Sequence, residues 1–566
     1  MRRLLIVFAL VVAGCGSTPG TTQSSGSSGT QVTAPTSRVD PMRPCQEAVL
    51  ADLPEPGASG PSVERVSAAN LESASASISQ AIFVCAADVV VVAPDDFERV
   101  ALAARLATGL GAPLLLGDIA GSSLLAYELD RLAPRRVWFV GDNVTAPVPE
   151  FSDSVVLSGD NTALADEIND RVDAGSEVTL PGGGGLEALR IAIAALETGA
   201  GIVGSSPVGA PPTGIDPVPH MRAGSGASGM AWLVDGGSPT LAIVAVASAV
   251  TADGLMVLVD GTDLRLATDA RRELDRMPIA PRRVQVLGAG PDSGWQLPVL
   301  LNADELPGGG FVMANKLFVA LYGNPNTTSL GVLGEQGVEA SITRARQLAA
   351  PYATANAPAI PTFEIIATVA AGSAGDDGDY SNEMSVDQLR EWVDVAGREG
   401  VYVLLDLQPG RSDFLTQAKR YEELLREPHV GLALDPEWRL LPNEVHLNQI
   451  GHVEAAEVNA VVDWLAALVR DNHLPQKMLL LHQFQDQMLR DRETIKTPTE
   501  LVVVVQMDGQ GAIPNKYGTW DRITAGWEGY GWEYGWKNFY DEDIPGPIPP
   551  SEVLELVPEV VYVSYQ

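Results

Sequence analysis

Asp435 and Glu437 close the run VGLALDPEW at Val430–Trp438. Side chains alternate along a strand, so these two carboxyl groups leave on the same side, two positions apart. VYVLLDLQ at Val401–Gln408 puts Asp406 and Gln408 on one face, and LVVVVQMD at Leu501–Asp508 does the same with Gln506 and Asp508. His482 ends a fourth apolar run, LLLHQF, and Tyr322 a fifth, LFVALY. Paired carboxyl groups suit glycoside cleavage, in which one protonates the leaving oxygen and another steadies positive charge at the sugar carbon. At close range they raise one another's pKa, so one stays protonated near neutral pH while its neighbour ionises. The candidate catalytic residues are Glu437 and Asp435, with Asp406 and Asp508 as partners. Gln408, His482, Gln506 and Tyr322 are candidate substrate contacts.

These tips need a scaffold that gathers strand ends. Residues 315–566 alternate apolar runs with helical stretches. Seven strands are expected: Leu317–Tyr322, Phe363–Ala371, Val401–Asp406, Val430–Asp435, Lys477–His482, Leu501–Asp508 and Val560–Ser564. A capping box at Ser385–Gln388 opens one intervening helix. About 250 residues of β/α alternation is the size of one (β/α)8 barrel, whose chemistry collects at the C-terminal ends of its strands. The eighth strand is expected near Ile523–Tyr534, or the barrel is incomplete; an open doubly wound sheet is the alternative. The D-x-E tip resembles the strand tips of chitinase-type and lysozyme-type barrel glycosidases. The resemblance implies that Glu437 is the general acid. The further aspartates of the chitinase signature are missing, since Gly431, Leu432 and Ala433 stand there.

Two loops bear on a sugar cleft. Tyr517–Tyr540 holds Trp520, Trp527, Trp532 and Trp536, four of the chain's 10 Trp in a short stretch. Flat aromatics stack on sugar faces, so Trp527, Trp532 and Trp536 are expected to face substrate, the other reading being a flap over the core. Asp541–Asp543 is expected in solvent. Ala374–Tyr380, AGDDGDY, is an acidic loop, solvated or able to take calcium or an amino-sugar. No metal and no cofactor are expected: His446, His452 and His482 have no HxH or HExxH spacing. No serine-nucleophile motif accompanies a histidine and an acid.

Residues 62–305 also alternate strand and helix, and they repeat. Glu128-Leu129-Asp130-Arg131 recurs as Glu273-Leu274-Asp275-Arg276, and Ala133-Pro134-Arg135-Arg136-Val137 as Ala280-Pro281-Arg282-Arg283-Val284. A duplicated α/β unit is expected, with Leu186–Ser205 as a worn third copy. Gly111–Leu116 (GAPLLL) and Val137–Asp142 (VWFVGD) resemble the type 2 cell-wall-binding repeat of Gram-positive surface proteins. That family packs three repeats together and attaches to anionic wall polymers. Here two copies are clear and Asp142 replaces the second glycine of the motif. On that resemblance Arg135, Arg136, Arg282 and Arg283 are the natural anion contacts; otherwise they cap helix ends and carry solvated charge.

Arg2 and Arg3 precede an apolar stretch, Leu4–Val12, too short to span a bilayer. Val12-Ala13-Gly14-Cys15 resembles the bacterial lipobox, which implies cleavage, lipidation of Cys15 and a place on the outer face of the cell membrane. Residues 16–61 open on a Ser/Gly/Thr/Pro tether. In an oxidising compartment Cys45 and Cys85 are expected to be bridged. A net charge of −35 argues against nucleic acid as a partner. The reading is a surface lipoprotein with repeated wall-binding-like α/β units (62–305) and a barrel (306–566). The barrel binds or hydrolyses cell-wall polysaccharide or peptidoglycan. The alternative is a non-catalytic envelope or adhesion protein that binds glycan or protein.

Overall fold

A computed structural model describes residues 44–566 apart from 56–59, 68–69, 118–122, 143–146, 183–184, 207–220, 260–262, 289, 291 and 355–356. Cys15 and most of the tether lie outside the described residues. No helix of the described residues is long and apolar enough to cross a membrane.

The C-terminal half is a closed barrel of eight parallel strands: β1 (Leu317–Gly323), β2 (Ala359–Ala370), β3 (Tyr402–Leu407), β4 (Val430–Leu434), β5 (Lys477–Gln483), β6 (Leu501–Met507), β7 (Glu533–Asn538) and β8 (Val560–Tyr565). Each strand bonds to its successor, and β1 bonds to both β2 and β8, which closes the ring. The open-sheet alternative is thereby set aside. β7 begins where the eighth strand was expected to end. Its sequence, EYGWKN, has a glycine, two charges and an amide, so no apolar run announces it.

Period-two alternation sorts the barrel residues. Val319, Leu321, Phe363, Ile365, Val403, Leu405, Leu432, Leu479 and Val503 belong to the cluster that packs on the surrounding helices. Phe318, Ala320, Ile360, Tyr402, Leu404, Ala433, Met478, Leu480, Val504 and Tyr562 form a separate buried cluster, the inner fill. Two residues further along these same inner rows stand Tyr322, Asp406, Asp435, His482 and Gln506. The inner face therefore turns from apolar to polar at the C-terminal mouth, where chemistry collects in this fold.

The N-terminal half carries sheets of its own, largely parallel and with the antiparallel edge strand Arg222–Ala223. One has the order Leu114–Leu116, Asp88–Val92, Arg136–Val140, Asp153–Leu157. Another has the order Arg222–Ala223, Leu255–Val259, Met230–Asp235, Arg283–Leu287, Ser62–Val66. Glu177–Pro181 pairs with Gly201–Ser206. The helices Phe97–Leu110, Leu186–Thr198 and Pro239–Thr251 meet in one apolar core. Pro239–Thr251 is buried over nearly its whole circumference, which fits its run of Ala, Val, Ile and Leu.

The recurring Glu-Leu-Asp-Arg motif has a local cause. Glu128 and Glu273 are buried, and each is paired one helical turn on with Arg131 or Arg276. Arg136 stacks over Trp138, and Arg283 donates to the Ala81 carbonyl, so the second arginine of each doublet has a partner inside the chain. Cys45 and Cys85 are bonded to each other, their Cα atoms 6.0 Å apart.

Candidate active site at the barrel mouth

A cavity of ≈ 370 Å³ opens at the mouth, lined among others by Tyr322, Gln408, Asp435, Glu437, Asp508 and Lys537. Asp435 follows β4 directly and caps the short turn Pro436–Trp438, its Oδ1 accepting from the Glu437 backbone N–H at 3.2 Å. The turn carries Glu437 to the cavity wall, half-buried. Asp508 follows β6 directly, and Lys537 comes from β7. Their ion pair is 3.1 Å long, and the Lys537 ammonium also sits 3.6 Å over the Tyr322 ring.

A second layer supports the first. His482 is fully buried; its Nδ1 lies 2.6 Å from Asp508 and its Nε2 2.8 Å from Glu364 on β2. Tyr562 donates to the other oxygen of Glu364 at 2.7 Å. Tyr322 donates to Asp406 Oδ2 at 3.2 Å, and Gln408 reaches the Tyr322 hydroxyl at 3.4 Å. Gln506 donates to Ser564 at 2.6 Å. Both nitrogens of His482 thus point at carboxylates, a geometry that suits the imidazolium, in which both are donors.

The electrostatics follow from burial and this charge order. Burial pushes the Glu437 carboxyl up to about 7; Asp508 adds to the rise, while Lys537 and His482 oppose it. Burial also lifts Asp406 to about 7 against the pull of His482. Asp435 goes well above the carboxylate range, first through burial and then through Asp406, Glu437 and Asp508. Burial works against the Asp508 charge, but Lys537 and His482 outweigh it and hold this carboxyl below its usual range. For His482 burial disfavours the cation, yet Asp508, Glu364 and Asp406 raise its pKa well above the usual value. The mouth therefore sets two carboxyls that burial pushes up, Glu437 and Asp435, beside one that Lys537 and His482 hold down, Asp508. Environments that push neighbouring carboxyls apart in this way mark acid and base assignments.

Of the expected site residues, Glu437, Asp435, Asp508, Gln408 and Tyr322 come together on the cavity surface. Asp406, His482 and Gln506 converge on the same region but lie beneath it, fully buried, and do not line the cavity. Each sits deeper along its strand than the tip residue that follows, so its place in the partner or contact set is corrected to one of support.

The tryptophans differ further. Trp536 is fully buried against Trp520 and Tyr517, and it donates to Asn538. Trp532 stacks on Tyr530 and donates to Tyr534. Trp536 belongs to the apolar layer between β7 and the helix Ile513–Thr524, because alternation along β7 sends Tyr534 and Trp536 outward when Lys537 points in; Trp532, just before β7, is buried in the same outer core. Neither faces the cavity. The Trp527 side chain lies outside the described residues. The aromatics at the mouth are Tyr322, Trp438, Phe484 and Phe539. Asp543, expected in solvent, is buried and paired with Lys516 at 2.6 Å.

Glu364, Lys537, Tyr562 and Ser564 were not singled out from sequence. Glu364 had a signal, a lone carboxylate inside the apolar run Phe363–Ala371. Lys537 had none until β7 was placed. At the mouth, among the described residues, two groups are close enough to share a cation, Glu364 with Asp406 and His482, and Asp435 with His482 and Asp508. Their present bonds use both imidazole nitrogens, and Lys537 already brings a positive charge to Asp508. His446 lies apart, with Nε2 3.0 Å from the Tyr380 carbonyl. In the acidic loop, Asp377, Asp379 and Glu383 also approach one another.

No protein-family model matches the chain, and no curated protein sequence does. Among solved structures it is similar to Cwp8 from Clostridium difficile, with 16% identity over 42% of this chain and 52% of that one and a TM-score of 0.33. It is also similar to Cwp6 from Clostridium difficile, with 13% identity over 61% of this chain and 63% of that one and a TM-score of 0.33. The chain thus spans less than two thirds of the length of either. These two resemblances give no family name.

Proposed function

We propose that the barrel hydrolyses envelope polysaccharide, with Glu437 as general acid. The observation that carries this is the half-buried Glu437 carboxyl on the cavity wall, lifted to about 7 beside an ionised Asp508. A general acid works best with a pKa near the operating pH. Glu437 would give its proton to the glycosidic oxygen as the bond to the sugar carbon breaks. The positive charge that grows on the sugar would meet Asp508, whose own charge Lys537 and His482 maintain. Asp435, kept neutral by burial, would steady Glu437 and donate to a sugar substituent. Water then enters on the cleft side vacated by the leaving group, its oxygen bonds to the sugar carbon, and its proton passes to the Glu437 carboxylate, which restores the acid. Tyr322 and Gln408 would hold hydroxyls, and Trp438, Phe484 and Phe539 offer apolar faces to sugar rings.

On this reading Cys15 carries a lipid anchor and the α/β units of the N-terminal half stand against the wall. Labelled peptidoglycan sacculi incubated with the purified chain separate hydrolysis from binding. Release of soluble glycan by the wild type, lost in Glu437→Gln, supports the proposal. Retention of the protein on sacculi with nothing released would make it a binding protein instead.

A further inference from the structure

Glu437 and Trp438 line two cavities at once. One is the mouth itself, ≈ 370 Å³; the other is an adjoining depression of ≈ 340 Å³, formed with His446–Ile450. The segment behind that depression is held against the backbone of the candidate acid. Gly451 N–H donates to the Glu437 carbonyl at 2.8 Å. A Cβ at Gly451 would stand about 2.4–2.5 Å from the carbonyl oxygens of Pro436, Glu437 and Arg439, so only glycine permits this approach. The His446 ring packs edge-on against Trp438, 5.4 Å between centroids. Beside it Leu447 has φ 66, a conformation unfavourable to a branched side chain, and that side chain is 88% exposed.

We propose that the chain cuts internal bonds of a polysaccharide, with sugars seated on both sides of Glu437 and the leaving side held in the 446–450 depression. This rests on the glycosidase reading. The proton donor must sit at the bond that breaks, and here the donor stands on the boundary between two spaces, not at the floor of one. The lining of the depression suits uncharged sugars: Asn448 and Gln449 amides for hydroxyl or acetamido groups, and Leu447, Ile450 and the Trp438 ring for apolar faces. Among the described residues no Lys or Arg lines it, so it is not built for phosphate or carboxylate groups.

The test is the size of the first products. The purified chain is incubated with peptidoglycan sacculi, soluble β-1,4-glucan and N-acetylglucosamine oligomers of graded length, and early products are sized. Mid-chain fragments appearing before any monomer or dimer are expected. Leu447→Asp and Gln449→Ala are expected to lower the ratio of the rate on long oligomers to that on short ones by about tenfold each. Gln449→Ala keeps the assay independent of the charge that Leu447→Asp adds. Release of single sugars or dimers from chain ends overturns the proposal while leaving the glycosidase reading in place. An unchanged length ratio in both variants overturns the assignment of the depression. No release from any of the three probes overturns both.

Discussion

Glu437 is where charge, burial and exposure intersect. A carboxyl lifted to about 7 keeps its proton below that pH and loses it above, so hydrolysis should decline as pH rises through about 7. Its neighbours set the position of that limb. Asp508→Asn removes a negative charge that opposes ionisation of Glu437, so the limb should move to lower pH. Lys537→Met removes a cation that favours ionisation, so the limb should move to higher pH. Rate–pH profiles of the two variants check the signs; shifts in the same direction would contradict the charge order. Lys537 is a positioning residue as well, since it anchors Asp508 and covers Tyr322.

At the scale of elements, β7 decides how the mouth is read. Trp536→Ala should cost about 3–5 kcal/mol of stability, the range for deleting a buried aromatic. Glycan affinity of the folded fraction should be unchanged, because the indole faces the helix Ile513–Thr524. Denaturant unfolding and binding assays separate the two effects. Seven of the eight strands were legible because each contains four or more consecutive apolar residues or nearly so, the pattern of a strand buried on both faces. β7 was not, since Gly535 lies against Tyr562 and Lys537 is tolerated inside through Asp508, the neighbouring carboxylates and the Tyr322 ring. Missing that strand hid Lys537 and turned an outward-packed tryptophan cluster into an apparent sugar platform. The pair Gln506/Asp508 was legible from period two alone, whereas Glu437 reaches the cavity through the turn Pro436–Trp438 that Asp435 caps, which alternation does not describe. Which member of a pair reaches the cavity was not legible, because that depends on depth along the barrel axis. Asp406 illustrates this: its face was right, but Tyr322 and Gln408 lie above it. Its carboxyl, lifted by burial to about 7 in the folded chain, holds a proton that an unfolded aspartate releases near about 4. That contribution to stability is complete below about 4 and is lost as pH rises to about 7. Asp406→Asn should flatten this slope in chemical unfolding measured across that window. Asp508 acts in the opposite sense, its contribution being lost on acidification.

For the whole molecule, the core around the helices Phe97–Leu110, Leu186–Thr198 and Pro239–Thr251 is a different cluster from the barrel's, so their perturbation should separate too. Cys85→Ser unties residues near the start of the described chain from the first N-terminal sheet region. It should cost that half about 2–4 kcal/mol, the usual range for a native disulfide, with the barrel's hydrolysis unaffected. Differential calorimetry alongside the sacculus assay checks this. Arg105 also ties the N-terminal core together, donating from the helix Phe97–Leu110 to the carbonyls of Gly199 and Ala200, just past Leu186–Thr198. The central claim is that a proton on Glu437 breaks a glycosidic bond at the barrel mouth. Release of soluble glycan from labelled sacculi by wild type and by Glu437→Gln, with matched folding, tests it most directly. The account predicts release by the wild type and a loss of at least about a hundredfold in the variant; equal release by both proteins would contradict it.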